Sequence, residues 1–154
     1  KGGMKESEKE QMSVPKSKRG EGRLEVLTKA LDLADYTILI CKNEKNFPKR
    51  DRWILTNRIV EAVLDTAENI RKGNTIRVER EEDFLRRREY QQKATESAEW
   101  ALTLIDIAYR NLGIETGRVE YWTGLILEVE RLISAWRKSD RDTWNRKQKE
   151  GSNA

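Results

Sequence analysis

The chain has 154 residues, a formal net charge of +4, 38% charged and 36% hydrophobic residues, and two prolines, Pro15 and Pro48. This length suits one domain with one core, and the even balance of charged and apolar residues suits helices that bury a single stripe rather than a turn-rich β fold. The lack of histidine and the single cysteine, Cys41, exclude histidine-dependent triads, Cys/His dyads, most zinc sites and an intramolecular disulfide.

From Lys1 to Gly22 the chain is Lys, Glu, Ser and Gly with almost nothing to bury, which predicts a flexible leader (1–22). A first helix begins near Arg23, where Leu24, Leu27, Leu31, Ala34, Ile38 and Cys41 recur at spacings of three and four. A second stripe of Leu33, Tyr36 and Ile40 widens its apolar face. Pro48 breaks the pattern and suits the first turn of a second helix. The seam of that helix is Trp53, Val60, Val63, Ala67 and Ile70, and Gly73 supplies a left-handed cap behind Arg71 and Lys72.

A third, long helix from about Arg77 to Asn111 has two halves. Its second half carries the seam Thr95, Ala98, Leu102, Ile105, Tyr109 and Leu112, and Gly113 stops it. Its first half offers little to a core but has favourable i,i+4 pairs, Glu82 to Arg86, Asp83 to Arg87 and Glu89 to Lys93. Such a helix measures about 50 Å at 1.5 Å per residue, so part of it should overhang its partners, solvated. A fourth helix, from about Gly117 to Asp140, has the seam Trp122, Leu125, Val129, Leu132 and Trp136, with Gly124 allowing close approach of a neighbour. The expected fold is all-α: an up-down-up-down four-helix bundle over 23–141 with a flexible tail over 142–154. No apolar run approaches the roughly 20 residues of a membrane helix, so a cytoplasmic protein without membrane contact is expected.

Several residue groups invite a functional reading. Arg86, Arg87 and Arg88 fan over roughly 200° at 3.6 residues per turn and can meet several phosphates, or they are a solvated face balanced by its own acids. Lys45, Lys49, Arg50 and Arg52 gather at the entry to the second helix, near its positive dipole end, where anions are favoured. Ordinary surface charge is the alternative. In an up-down-up-down bundle one pole collects Arg23, Arg71, Lys72, Arg77, Arg80, Arg137, Lys138 and Arg141, diluted by Glu21, Glu25, Glu79 and Glu81. Trp53, Trp122 and Trp136 fall on seams, which favours core packing over base stacking. Trp100 lies off its seam, where it can serve a subunit contact, and Trp144 lies in the tail. Cys41 continues an apolar seam, the usual place of a small buried thiol. The carboxylates Glu81, Glu82 and Asp83 are read as partners of arginine, because bundle di-metal sites require Glu-x-x-His motifs; no metal or cofactor is expected. Leu33, Tyr36, Ile40, Leu55 and Ile59 exceed what one seam can bury, which predicts an oligomer joined through them.

Three stretches carry a family resemblance: Asn46-Phe47-Pro48-Lys49-Arg50-Asp51-Arg52; Phe84-Leu85-Arg86-Arg87-Arg88-Glu89-Tyr90-Gln91; and Val119-Glu120-Tyr121-Trp122-Thr123-Gly124 together with Ala135-Trp136-Arg137-Lys138-Ser139-Asp140-Arg141. In this order they resemble the Avd branch of the bacterial four-helix-bundle proteins, which also includes proteins encoded by intervening sequences in 23S ribosomal RNA genes. The resemblance covers about Arg23 to Arg141. It implies a non-catalytic accessory of a diversity-generating retroelement, a homopentameric ring that binds the reverse transcriptase and the template RNA with its cDNA. On that reading Lys45, Lys49, Arg50, Arg52, Arg86, Arg87 and Arg88 meet RNA or DNA, and Arg137, Lys138 and Arg141 meet nucleic acid or the partner protein. The alternative is an oligomeric protein-binding scaffold without nucleic-acid binding.

Overall fold

The computed structural model describes residues 21–152, with side chains from Glu25 onward. All but the last two positions of the expected leader, and the side chains of Arg23 and Leu24, lie outside the described residues. Those described form a four-helix bundle without strands: α1 (Glu21–Lys42), α2 (Asn57–Thr75), α3 (Glu81–Leu112) and α4 (Thr116–Ser152). The principal neighbours are α1 with α2, α2 with α3, α3 with α4, and α4 with α1. Residues paired across α3 and α4 run in opposite order, from Tyr109 with Thr116 through Gln92 with Arg137 to Arg87 with Asp140.

α1 buries Val26, Ala30, Leu33, Ala34, Thr37 and Ile40, a stripe at helical spacing. Leu33 and Ile40, expected at a subunit interface, therefore belong to this chain's own core, as do Leu55 and Ile59; Tyr36 is half-buried against the edges of Tyr121 and Trp122. The expected seam sits on the flank, with Leu31 exposed and Leu27, Ile38 and Cys41 half-buried. The indole of Trp122 decides between the two stripes. It is fully enclosed, and its Nε1 donates to Thr37 Oγ1 at 2.9 Å, which turns the Thr37 face inward.

Phe47 anchors the connection to α2, buried edge-on against Trp122 at a centroid distance of 6.0 Å. After Pro48 the chain passes through a tight 3-10 turn (Lys49–Asp51) and a wide π turn (Arg52–Thr56) before regular helix begins at Asn57. The wide turn spends an extra residue and shifts the helical phase, so Leu55 and Thr56 point inward. Trp53, expected on the seam, is instead 83% exposed.

Gly73 does not cap the second helix, which continues to Thr75. It is the point of closest approach: a Cβ there would lie 2.9 Å from Trp136 Cη2 and 3.4 Å from Tyr90 Cβ. Gly124, for which that role was expected, faces open space. Gly113 does end α3, in the left-handed conformation with φ 66°. Along α3 a stripe of Ala94, Ala98, Ala101 and Ala108 with Leu104 and Ile105 is buried, while Tyr109, expected on that seam, is exposed. At the start of α3 the Asp83 carboxylate accepts from the backbone N–H of Arg80 at 3.0 Å and of Glu79 at 3.2 Å, and these bonds hold its pKa below the usual range.

α4 buries Trp122, Ile126, Val129, Leu132, Ile133 and Trp136 and continues to Ser152. The expected tail is thus helical through its first eleven positions, 142–152. Two contacts hold the extension: Asp140 is bound by α3, and Trp144 stacks on Phe84 with centroids 5.3 Å apart and planes 8° from parallel. The extension in turn covers the first half of α3, which was expected to overhang in solvent.

Candidate functional site

The three arginines of α3 separate into different environments. Arg87 is 5% exposed; its Nη1 donates to Asp140 Oδ1 at 2.9 Å and its Nη2 to the Ile76 carbonyl. Gln91, fully buried, donates from Nε2 to the other Asp140 oxygen at 3.0 Å. Arg87 therefore ties α3 to α4 and is not free to meet a phosphate, contrary to its expected role. Its anticipated partner four residues back, Asp83, is taken by the backbone at the start of the helix. Arg86 is exposed. Arg88 is half-buried, with Nη1 3.5 Å from the Arg137 carbonyl.

Arg88 forms one wall of an open groove between α3 and α4, where it meets Arg131, Arg137, Lys138 and Arg141 over a floor of Ser134 and Ala135. Five cations thus converge from two packed helices. Arg131 is neutralised by Glu128, which accepts at 2.9 and 2.7 Å. The other four have no carboxylate within 4.0 Å among the described residues. Arg137 instead donates to the neutral Gln92 Oε1 at 3.1 Å, and Asp140, the nearest acid in sequence, is turned away to Arg87. Burial, and then the positive charges of Arg137 and Arg141, push the pKa of Arg88 down, with Asp140 opposing. Arginine keeps its proton in proteins, so this cost persists until an anion enters the groove.

The groove gathers Arg137, Lys138 and Arg141, as expected, and adds Arg88 and Arg131. Arg131 was missed, although 131, 134, 138 and 141 advance by three, four and three residues along one helical face. Of the other cations expected at the same pole, Lys72 pairs with Glu68 at 3.6 Å and Arg77 with Glu79 at 3.1 Å, and neither lines the groove. Lys45, Lys49, Arg50 and Arg52 are exposed, with Lys49 3.4 Å from Glu44 and Arg50 3.8 Å from Asp51. They stand beside Phe47 and hence near Trp122, which precedes Arg137 by fifteen residues, about 22 Å of helix. The two basic groups lie toward different ends of the bundle.

Large apolar side chains are exposed on two helix pairs: Leu31, Leu39, Tyr121 and Leu127 on α1 and α4, and Trp53, Ile54, Leu64, Trp100 and Ile107 on the π turn, α2 and α3. Ile54, Trp100 and Ile107 of the second set line a groove in which Arg58 lies over the Trp100 ring at 5.7 Å. Cys41 is half-buried, and burial pushes its thiol pKa up to about 12. Among the described residues no cluster of three or more acidic or cysteine side chains is arranged to hold a metal ion, and no helix is long and apolar enough to cross a membrane. Comparison with protein-family models, curated proteins and solved structures gives no match for the chain.

Proposed function

We propose that this chain is a non-catalytic, nucleic-acid-binding accessory protein of the Avd-like kind, serving in the cytoplasm beside the reverse transcriptase of a diversity-generating retroelement. The observation that carries the reading is the groove of Arg88, Arg131, Arg137, Lys138 and Arg141, in which four cations lack a carboxylate partner among the described residues. Its mechanism is electrostatic. Arginines projecting from two packed helices are pre-positioned, so they grip phosphate oxygens with little further loss of freedom. Such contacts carry no sequence information; template RNA and cDNA are bound alike, and the chemistry belongs to the partner. The opposed residue order of α3 and α4 supports an up-down-up-down bundle with a long third helix.

Filter binding of the purified chain to RNA and single-stranded DNA over a range of salt tests this function. Log affinity should fall against log salt with a slope of about 0.7 per neutralised single-strand phosphate, or about 0.9 for duplex. Replacing Arg137, Lys138 and Arg141 together with Gln should flatten the slope while lowering the melting temperature only slightly, since Lys138 and Arg141 are exposed, where substitutions typically shift stability by within about 0.5 kcal/mol, and half-buried Arg137 gives up one hydrogen bond, to Gln92, worth about 1 kcal/mol. A salt-independent parent, or a triple variant that binds as the parent does, would overturn the reading.

A second reading has its own support in the exposed apolar sets, above all Trp53 at 83% and Ile54 at 71% exposure. Unlike patches on different helix pairs suit head-to-tail contacts between copies, which close into a ring where the rotation between copies divides a full turn. A ring in which these sets meet serves either as the accessory protein or as a protein-binding scaffold alone; the resemblance puts its count at five. Light scattering of the parent beside Trp53→Ser separates these outcomes from a monomer, and reverse transcriptase retained by a chain that binds no RNA even at low salt would favour the scaffold.

A further inference from the structure

A cavity of about 270 Å³ opens between the link 76–80, the first turns of α3 and the helical extension of α4. Arg77, Arg87, Lys147, Thr143, Phe84 and Trp144 line it, with Asp140 at its floor. We propose that this cavity binds a phosphate monoester that carries an aromatic base, either a free mononucleotide or the phosphorylated end of a strand lying in the groove. The proposal deepens the nucleic-acid reading and rests on it for the strand.

Charge selects the phosphate. Asp140 is consumed by Arg87 and Gln91, and Glu79 offsets Arg77, which leaves the wall one net positive charge, that of Lys147. Among the described residues Lys147 has no carboxylate within 4.0 Å, and the Thr143 hydroxyl stands beside it as a neutral donor. Beneath them Arg87 is held in place through both terminal nitrogens, while its buried Nε lacks an acceptor from the protein. An anion in the cavity therefore meets Lys147 and the Thr143 hydroxyl, with Arg87 fixed beneath them as part of the lining.

Size and aromatic character select the base. With roughly 30 Å³ per water, the space exceeds that of a bare inorganic ion several times over. Its apolar wall is the Phe84 and Trp144 pair, and Arg88 lies over the Phe84 ring at 5.4 Å. Arg88, which lines the groove, and Trp144, which lines the cavity, thus both lie against the Phe84 ring. A base extends the Phe84 and Trp144 stack whatever its identity, because every base presents a π face. A strand held by its phosphates in the groove delivers its terminal nucleotide to this point.

The test uses the full chain and short labelled single strands, each with and without a terminal phosphate at the 5′ or the 3′ end, together with calorimetry against AMP and inorganic phosphate. One phosphorylated end should bind about tenfold more tightly than its hydroxyl counterpart, the scale of charge-assisted hydrogen bonds. Lys147→Gln and Arg77→Gln, both exposed positions, should abolish that preference and AMP binding while leaving the melting temperature and the affinity for unphosphorylated strand unchanged. Strands that bind equally with and without either phosphate would overturn the inference and leave the groove reading standing, as would AMP binding that survives Lys147→Gln. AMP binding lost in Lys147→Gln, with no strand bound, would uphold the cavity and sink the groove. If strand, AMP and phosphate all fail to bind, both fall; phosphate binding without AMP binding removes the base from the proposal and so overturns it.

Discussion

The two ends of the bundle are closed by different chemistry. Near the α1–α2 connection the enclosed indole of Trp122 donates to Thr37 Oγ1, Thr37 donates to the Leu33 carbonyl at 2.7 Å, and Phe47 packs edge-on. The Trp122 indole and the Thr37 hydroxyl each have an acceptor, whereas Asn46 Nδ2 and Thr56 Oγ1 in the same connection have none, and no ion pair is buried there. At the other end Trp136 is buried without an acceptor for its Nε1, and beside it an ion pair, Arg87 and Asp140, is buried together with Gln91, leaving Arg87 Nε and Gln91 Oε1 unmatched. Burying ions costs desolvation that their attraction only partly returns, so a well-packed apolar pair would often serve stability as well. The neutral end is what a fold needs; the charged end holds Asp140 away from the groove and so keeps the groove positive.

The largest expected effect lies at the charged end. Asp140→Ala leaves Arg87 buried and unpaired, and should lower unfolding free energy by about 3–5 kcal/mol, measured by urea titration. Replacing both partners, Arg87→Met with Asp140→Leu, should return the protein to near or above parental stability. A double variant as unstable as the single one would show that the pair is required for the fold itself. At the neutral end Thr37→Val keeps the volume but removes the acceptor of Trp122 Nε1, and should cost about 1–3 kcal/mol; no loss would mean that this network adds nothing.

Gly73→Ala probes the contact beneath Trp136. Helix propensity gains about 1 kcal/mol, but the new methyl meets the rigid indole at 2.9 Å, and overpacking typically costs about 1–3 kcal/mol. A net loss of about 1 kcal/mol is expected, and a more stable variant would show that Trp136 can move.

The smallest effect concerns Glu130, whose pKa is raised from 4.5 to about 7 by burial and by the neighbouring Glu99, which shares a hydrogen bond with it. Between those two values the folded state holds more protons than the unfolded one, so this carboxyl lowers stability as pH rises through that window, with the full loss present above it. Melting temperatures near about pH 5 and about pH 8 should therefore differ less in Glu130→Gln than in the parent. An unchanged difference would remove Glu130 as the titrating group.

Much of the framework follows from local pattern. The number of helices, the stop at Gly113 and the seam Trp122, Val129, Leu132 and Trp136 are legible because a 3.6-residue period and a left-handed glycine are properties of a few adjacent residues. The spacing of Arg131 with Lys138 and Arg141 was equally legible. Tertiary structure alone decided which of two apolar stripes on α1 turned inward, because both satisfy the period and only the Trp122 bond to Thr37 distinguishes them. It also turned Trp53 outward through the π turn and prolonged α4 past Asp140. The same is true of Arg87, whose partner Asp140 lies 53 residues away in the chain. Local spacing offered Asp83 as a competing partner, and a nearby carboxylate is all that periodicity can see; the choice between them required α4 to be in place.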